Sequence, residues 1–267
     1  MQTLSHHSCN SRKPAPFVIL SQPRTGSTLV CSLLCSHPGI RALVEPINPV
    51  CHNHHMKPIK GSKCLLPEVM VQNNIVRALE LLFDRDPPPD KWVLSKKVAT
   101  HAAGFKIMMH QLIALKSKDI FWKYLADNKI KVILVFRHNI VMQYISDLIV
   151  QETRQSACWD GKVLTAQVTV PINTLESNIR RIMFEKRYLI NSVDKYGLDK
   201  RRLKYEDFKD DISPVNNLLP WLIGESANLT TKLSKQNPDS IMARVKNYNE
   251  LIFELHRLDL GHLIVDN

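Results

Sequence analysis

The sequence predicts an α/β protein three layers deep, with a mainly parallel β-sheet flanked by helices. Two observations carry that expectation. Short apolar runs without polar alternation, clearest in FVILS (residues 17–21) and KVILVF (131–136), are strands buried on both faces. Helix-spaced segments separate them, the order that parallel crossovers require. A chain of 267 residues buries one substantial core, so one domain over 1–267 is expected, alone or with a lid.

Taken in order, FVILS is the first strand. Leu29, Val30, Leu33 and Leu34 recur at helical spacing after Ser27, and His37-Pro38-Gly39 ends that helix. Ile40, Ala42 and Val44 make a second strand closing at Glu45-Pro46, where the proline should keep Glu45 extended. The polar stretch to Pro67 reads as loop, and Val69 to Phe83 as a helix stopped at Asp84 to Pro89. Trp92 to Val98 and Phe105 to Met108 are short strands. KVILVF is followed by a helix over 139–155, with Ile140, Tyr144, Leu148 and Ile149 on one side. Asn173 and Glu176 form a capping pair for a long helix to Lys195. RLKYEDF (202–208) reads as a strand, and 215–223 and 239–256 as helices. Residues 1–15 read as a flexible terminus, and 46–67 and 150–172 as segments able to cover a ligand.

Charge and cysteine usage narrow the function. Lys plus Arg outnumber Asp plus Glu by 36 to 25, a net charge of +11 that favours an anionic partner. The basic clusters, Arg180-Arg181 and Lys200-Arg201-Arg202, are short and not interleaved with aromatics, so nucleic acid is not the expected partner. No run approaches the roughly 18 apolar residues of a membrane span. The polar start, MQTLSHHSCNSRKPAP, has no apolar signal region. Six cysteines without a CxxC pair suit reduced thiols in the cytoplasm, with Cys31 and Cys35 in the core. Cys51, His52, His54, His55 and Cys64 follow no closed-site spacing, so no metal is expected.

The chemistry concentrates at two places. SQPRTGST (21–28) puts a turn between strand and helix, where backbone N–H groups and the helix dipole meet an anion. Gly26 lets the backbone approach closely, Ser27 and Thr28 add donors, and Arg24 adds a permanent charge. The string lacks the lysine of a GxxxxGK[ST] loop, which argues against an ATPase or kinase. The second place is the end of KVILVF, where Arg137 stands in place of the acidic metal ligand that a nucleotide hydrolase needs. Ser146, nine residues on, can face the same anion. Without a ligand, the first stretch would be a capped turn, Arg137 an ion-pair partner and Glu45 an exposed carboxylate.

These segments resemble the PAPS-dependent sulfotransferases. PRTGST (Pro23, Arg24, Thr25, Gly26, Ser27 and Thr28) is similar to the loop that holds the cofactor's 5′-phosphosulfate, and Arg137 with Ser146 to the pair that holds its 3′-phosphate. Glu45-Pro46, GFKIMMHQ (104–111), KYEDF (204–208) and KQNPDSIMARVKNYNEL (235–251) extend the match in order along most of the chain. They resemble the small bacterial, carbohydrate- or natural-product-type branch. The sequence departs from the pattern in carrying Arg24 where many members have lysine, and in a wider Arg137–Ser146 spacing. The resemblance implies a P-loop-like fold, PAPS as co-substrate without a metal, and a small soluble acceptor such as a sugar or alkaloid. It makes Glu45 the candidate base, with His110 as second candidate, Lys106 a sulfate contact and Lys235 a phosphate contact. Trp159 is a candidate for the acceptor pocket. The alternatives are a non-catalytic nucleotide- or nucleic-acid-binding protein and a small-molecule kinase.

Overall fold

Among the described residues, five parallel strands form one sheet in the order β2-β3-β1-β4-β5. They are β1 (Ala15–Ser21), β2 (Ile40–Val44), β3 (Ala102–Met108), β4 (Lys131–Phe136) and β5 (Lys200–Lys204). The computed structural model describes residues 13–47, 74–83, 101–158, 161–162, 164, 166–233 and 240–264. The helices are α1 (Ser27–Ser36), α2 (Ile75–Phe83), α3 (Met109–Ala114), α4 (Lys118–Asp127), α5 (Ile140–Thr153) and α6 (Leu175–Lys195), then α7 (Tyr205–Phe208), α8 (Ser213–Asn216), α9 (Leu219–Ile223) and α10 (Tyr248–Arg257). The expected three-layer α/β class is the one found.

Strand alternation builds the layers. Phe17 and Ile19 on β1, Ile133 and Val135 on β4, and Ala42 on β2 pack with Val30, Leu33 and Leu34 of α1 and with Phe208, Val215 and Leu219. Val18, Leu20, Phe105, Val132 and Leu134 point the other way, onto Leu79 of α2, Phe121 and Leu125 of α4, and Leu189 and Val193 of α6. Both faces of β1 are therefore dry, which is why FVILS shows no polar alternation. A third cluster joins Ile145 and Ile149 of α5 to Ile179 and Ile182 of α6 and to Leu251 and Leu255 of α10. Gly104 serves the sheet directly, because a Cβ there would stand 2.3 Å from the Phe17 carbonyl.

Several boundaries differ from expectation. The segment 202–208 is strand only to Lys204, then turns into α7, because Tyr205 and Phe208 roll under the β1–α1 loop. The 239–256 helix begins only at Tyr248. The chain before it is turned, and is tied down by a parallel bridge between Val168 and Val245 and by Asn247, whose amide pairs with both Val170 backbone groups at 2.9 Å. Asn173 lies in a 3₁₀ turn over Ile172–Thr174, and Thr174 opens α6 without a side-chain cap. Helices α3 and α4 were not anticipated. Residues Val69 to Asn73 of the expected second helix and the Trp92–Val98 strand lie outside the described residues, as does most of the 46–67 segment.

Candidate active site

In open parallel sheets, ligands sit at the carboxyl ends of strands where the order reverses. Here β1 lies between β3 and β4, and the three strand ends carry the predicted residues. The β1–α1 loop is shaped by two left-handed residues, Arg24 (φ 62°) and Gly26 (φ 79°). Gly26 is also constrained from outside: a Cβ there would meet the Tyr205 ring at 2.6 Å. The loop is braced from within and from behind, the latter by Gln143 and Glu185, which the sequence did not point out. Gln143 Nε2 donates to the Pro23 carbonyl at 2.9 Å, and Thr25 Oγ1 to the Gln22 carbonyl at 2.9 Å. Gln22 Nε2 donates to the Ile182 carbonyl and to Glu185 Oε2, at 2.9 and 3.2 Å. Ser27 is buried at the first position of α1, and Thr28 is half-buried beside it.

Arg24 runs along this loop toward α5. Its Nε donates to Ser146 Oγ at 3.1 Å and its Nη1 to the Ser156 carbonyl at 2.7 Å. Burial holds the guanidinium below its ordinary pKa, Asp147 counteracts this, and Arg137 adds to it. Ser146 thus contacts Arg24 itself.

Arg137, only 6% exposed, lies with its guanidinium carbon 4.6 Å from the Tyr205 ring centre and its Nε 3.8 Å from Glu206 Oε1. It makes the ion pair expected of a residue without a ligand, yet it makes it inside the protein. Glu206 also accepts from the His138 and Asn139 backbone N–H groups at 2.9 and 3.0 Å, so one carboxylate caps the β4–α5 turn and steadies Arg137. Tyr205 and Glu206 come from KYEDF. The sequence signal for them was the motif, and their packing role emerged only once that motif turned helical.

At the third strand end, Lys106 is 2% exposed on β3 and bridges two loops. Its Nζ stands 2.7 Å from Glu45 Oε1 and donates to Thr28 Oγ1 at 3.0 Å. Gln111 Nε2 donates to Glu45 Oε2 at 2.9 Å. Glu45 itself has φ 51°, not the extended backbone expected before proline; its N–H bonds the Lys106 carbonyl at 3.1 Å, turning the chain as it leaves β2. His110 is half-buried on α3, and burial pushes its pKa down against the opposing pull of Glu45, Glu185 and Asp147. Lys235, Trp159 and the Cys51–Cys64 cluster lie outside the described residues.

Fold and site define an α/β protein that gathers three cations and a fixed carboxylate at the carboxyl edge of a parallel sheet. The chain is similar to nodulation protein H of Rhizobium meliloti (strain 1021), at 27% identity over 247 residues, covering 89% of this chain and 90% of that protein. No protein-family model matches it. No described helix is long and apolar enough to cross a membrane.

Proposed function

We propose that the protein is a cytoplasmic, PAPS-dependent sulfotransferase acting on a hydroxyl or amine of a small acceptor, a sugar or a secondary metabolite such as an alkaloid. The observation that carries the reading is Lys106 joining Glu45 to Thr28, which links a carboxylate at the sheet edge to the anion-suited loop. Similarity to nodulation protein H along nine-tenths of both chains supports sulfotransferase activity in general.

The residues suit the donor. The backbone from Pro23 to Thr28, with Arg24, receives the 5′-phosphosulfate, while Arg137 and Ser146 take the 3′-phosphate, and Lys235 later in the chain is a further phosphate contact. Half-buried Arg24 and buried Arg137 already have protein partners at hydrogen-bond or ion-pair distance, so their charges are held in place before any ligand arrives.

In the reaction, the bond from sulfur to the bridging phosphate oxygen breaks as one from sulfur to the acceptor oxygen or nitrogen forms. The acceptor proton passes to Glu45, with His110 the other candidate, and adenosine 3′,5′-bisphosphate leaves. Arg24 and Lys106 neutralise charge on the departing oxygen and the moving group.

The test is transfer of labelled sulfate from PAPS to a panel of sugars and amines, preceded by a thermal shift. At a hundred times its Kd, adenosine 3′,5′-bisphosphate should add about 2.7 kcal/mol of stability. Stabilisation by ATP with magnesium, or by oligonucleotide, but not by the bisphosphate would overturn the reading.

A further inference from the structure

Gln111 belongs to no cation cluster and no phosphate loop, yet its side chain is fully buried and both ends of its amide are engaged. Its Oε1 accepts the Met108 backbone N–H at 2.9 Å, where β3 passes into α3. That bond decides which end of the amide is oxygen, since only an acceptor satisfies a backbone N–H. The nitrogen is then committed to Glu45 Oε2, to which it donates at 2.9 Å. Because Lys106 holds Oε1, the two carboxylate oxygens are gripped from neighbouring points of one strand–helix junction.

We infer that Gln111 is the positioning residue for the Glu45 carboxylate, an amide clamp that fixes the plane in which this group receives the acceptor's proton. The inference rests on the sulfotransferase reading for its consequence in catalysis and on geometry for the clamp. A glutamate has three side-chain torsions, and this one leaves β2 through a left-handed backbone residue, so its strand does not orient its carboxylate. Lys106 alone would leave the group free to swing about one contact. It would also leave the ammonium free to pull the carboxylate toward Thr28 and the donor loop. The amide opposes that pull without adding charge, which a second cation in its place would do at the expense of basicity. Among the described residues, the titratable groups bearing on Glu45 are Lys106 on β3, His110 on α3 and Cys31 on α1.

The experiment compares wild type, Gln111→Met and Gln111→Glu in steady-state kinetics from pH 5 to 9. It adds calorimetry with adenosine 3′,5′-bisphosphate and a carboxyl-carbon NMR titration of Glu45, its resonance identified by its loss in Glu45→Gln. Methionine keeps the volume and removes both hydrogen bonds. It should lower kcat about 10- to 100-fold, leave bisphosphate affinity within about twofold, and move the acid limb of kcat and the NMR midpoint to higher pH, because ionised Glu45 has lost a donor. Gln111→Glu retains an acceptor for Met108 and should move the midpoint further up, since a second carboxylate then faces the first. It carries the test if the methionine variant does not fold. An unmoved NMR midpoint in the folded variants overturns the clamp, as does loss of kcat at every pH with an unmoved acid limb. An inactive wild type in which the midpoint still moves would instead overturn the sulfotransferase reading and keep the clamp.

Discussion

Arg24 Nε donates to Ser146 Oγ at 3.1 Å, joining the loop after β1 to the helix after β4 across 122 residues of sequence. The two segments singled out as separate anion contacts are therefore one connected unit, and a change at either should be felt at both.

On the proposed sulfotransferase reading, Arg24→Ala removes charge where the departing oxygen becomes negative; it also frees Ser146. The expected loss is about 2–4 kcal/mol in kcat/KM, with weaker bisphosphate binding. Steady-state kinetics beside calorimetry checks this, and near-normal turnover would remove Arg24 from the mechanism.

Arg137→Ala should discriminate between ligands. Adenosine 3′,5′-bisphosphate should lose roughly 1.5–3 kcal/mol of binding, and adenosine 5′-phosphosulfate, which lacks the 3′-phosphate, much less. Equal losses by calorimetry would place Arg137 elsewhere.

Glu45→Gln keeps the shape of the group held by Lys106 and Gln111 but removes its charge. Turnover should fall about 10²- to 10⁴-fold while bisphosphate affinity is nearly unchanged. Full turnover would assign the proton to another base, with His110 next to be tested.

Gly26→Ala is expected to be costly for two separate reasons. A left-handed backbone disfavours a Cβ by about 1–2 kcal/mol, and the new methyl would meet the Tyr205 ring at 2.6 Å. Urea unfolding should show a lower midpoint, and calorimetry weaker bisphosphate binding, because Tyr205 also carries Arg137. An unchanged midpoint would mean the loop relaxes freely.

His110 should leave a mark on stability against pH. Burial lowers its folded pKa, so at acid pH the unfolded chain binds the extra proton. Stability therefore falls as pH drops below about 6.5, the ordinary histidine value, and this contribution stops growing below the folded value. His110→Asn should flatten that part of the curve in urea titrations at a series of pH values. An unchanged slope would remove the linkage.

Local sequence determined the strand cores and the chemistry of the strand ends. FVILS and KVILVF are apolar at every core position because both sheet faces are covered, and that requirement is visible without coordinates. Arg24, Glu45, Lys106 and Arg137 could be singled out because they follow, end or interrupt such runs. The partners of those charges were decided only in three dimensions. Glu206, Tyr205 and Gln111 lie within KYEDF and GFKIMMHQ, but nothing in those strings tells which charge each one holds, and Gln143 lies outside them. They became part of the site because parallel order brings β3, β1 and β4 side by side with their carboxyl ends together. The turn of KYEDF into α7 and the left-handed turn at Glu45 were decided in the same way. Contacts with Gly26, Arg137 and Lys106 outweigh the local preference for an extended chain, and no short-range pattern encodes contacts of that range.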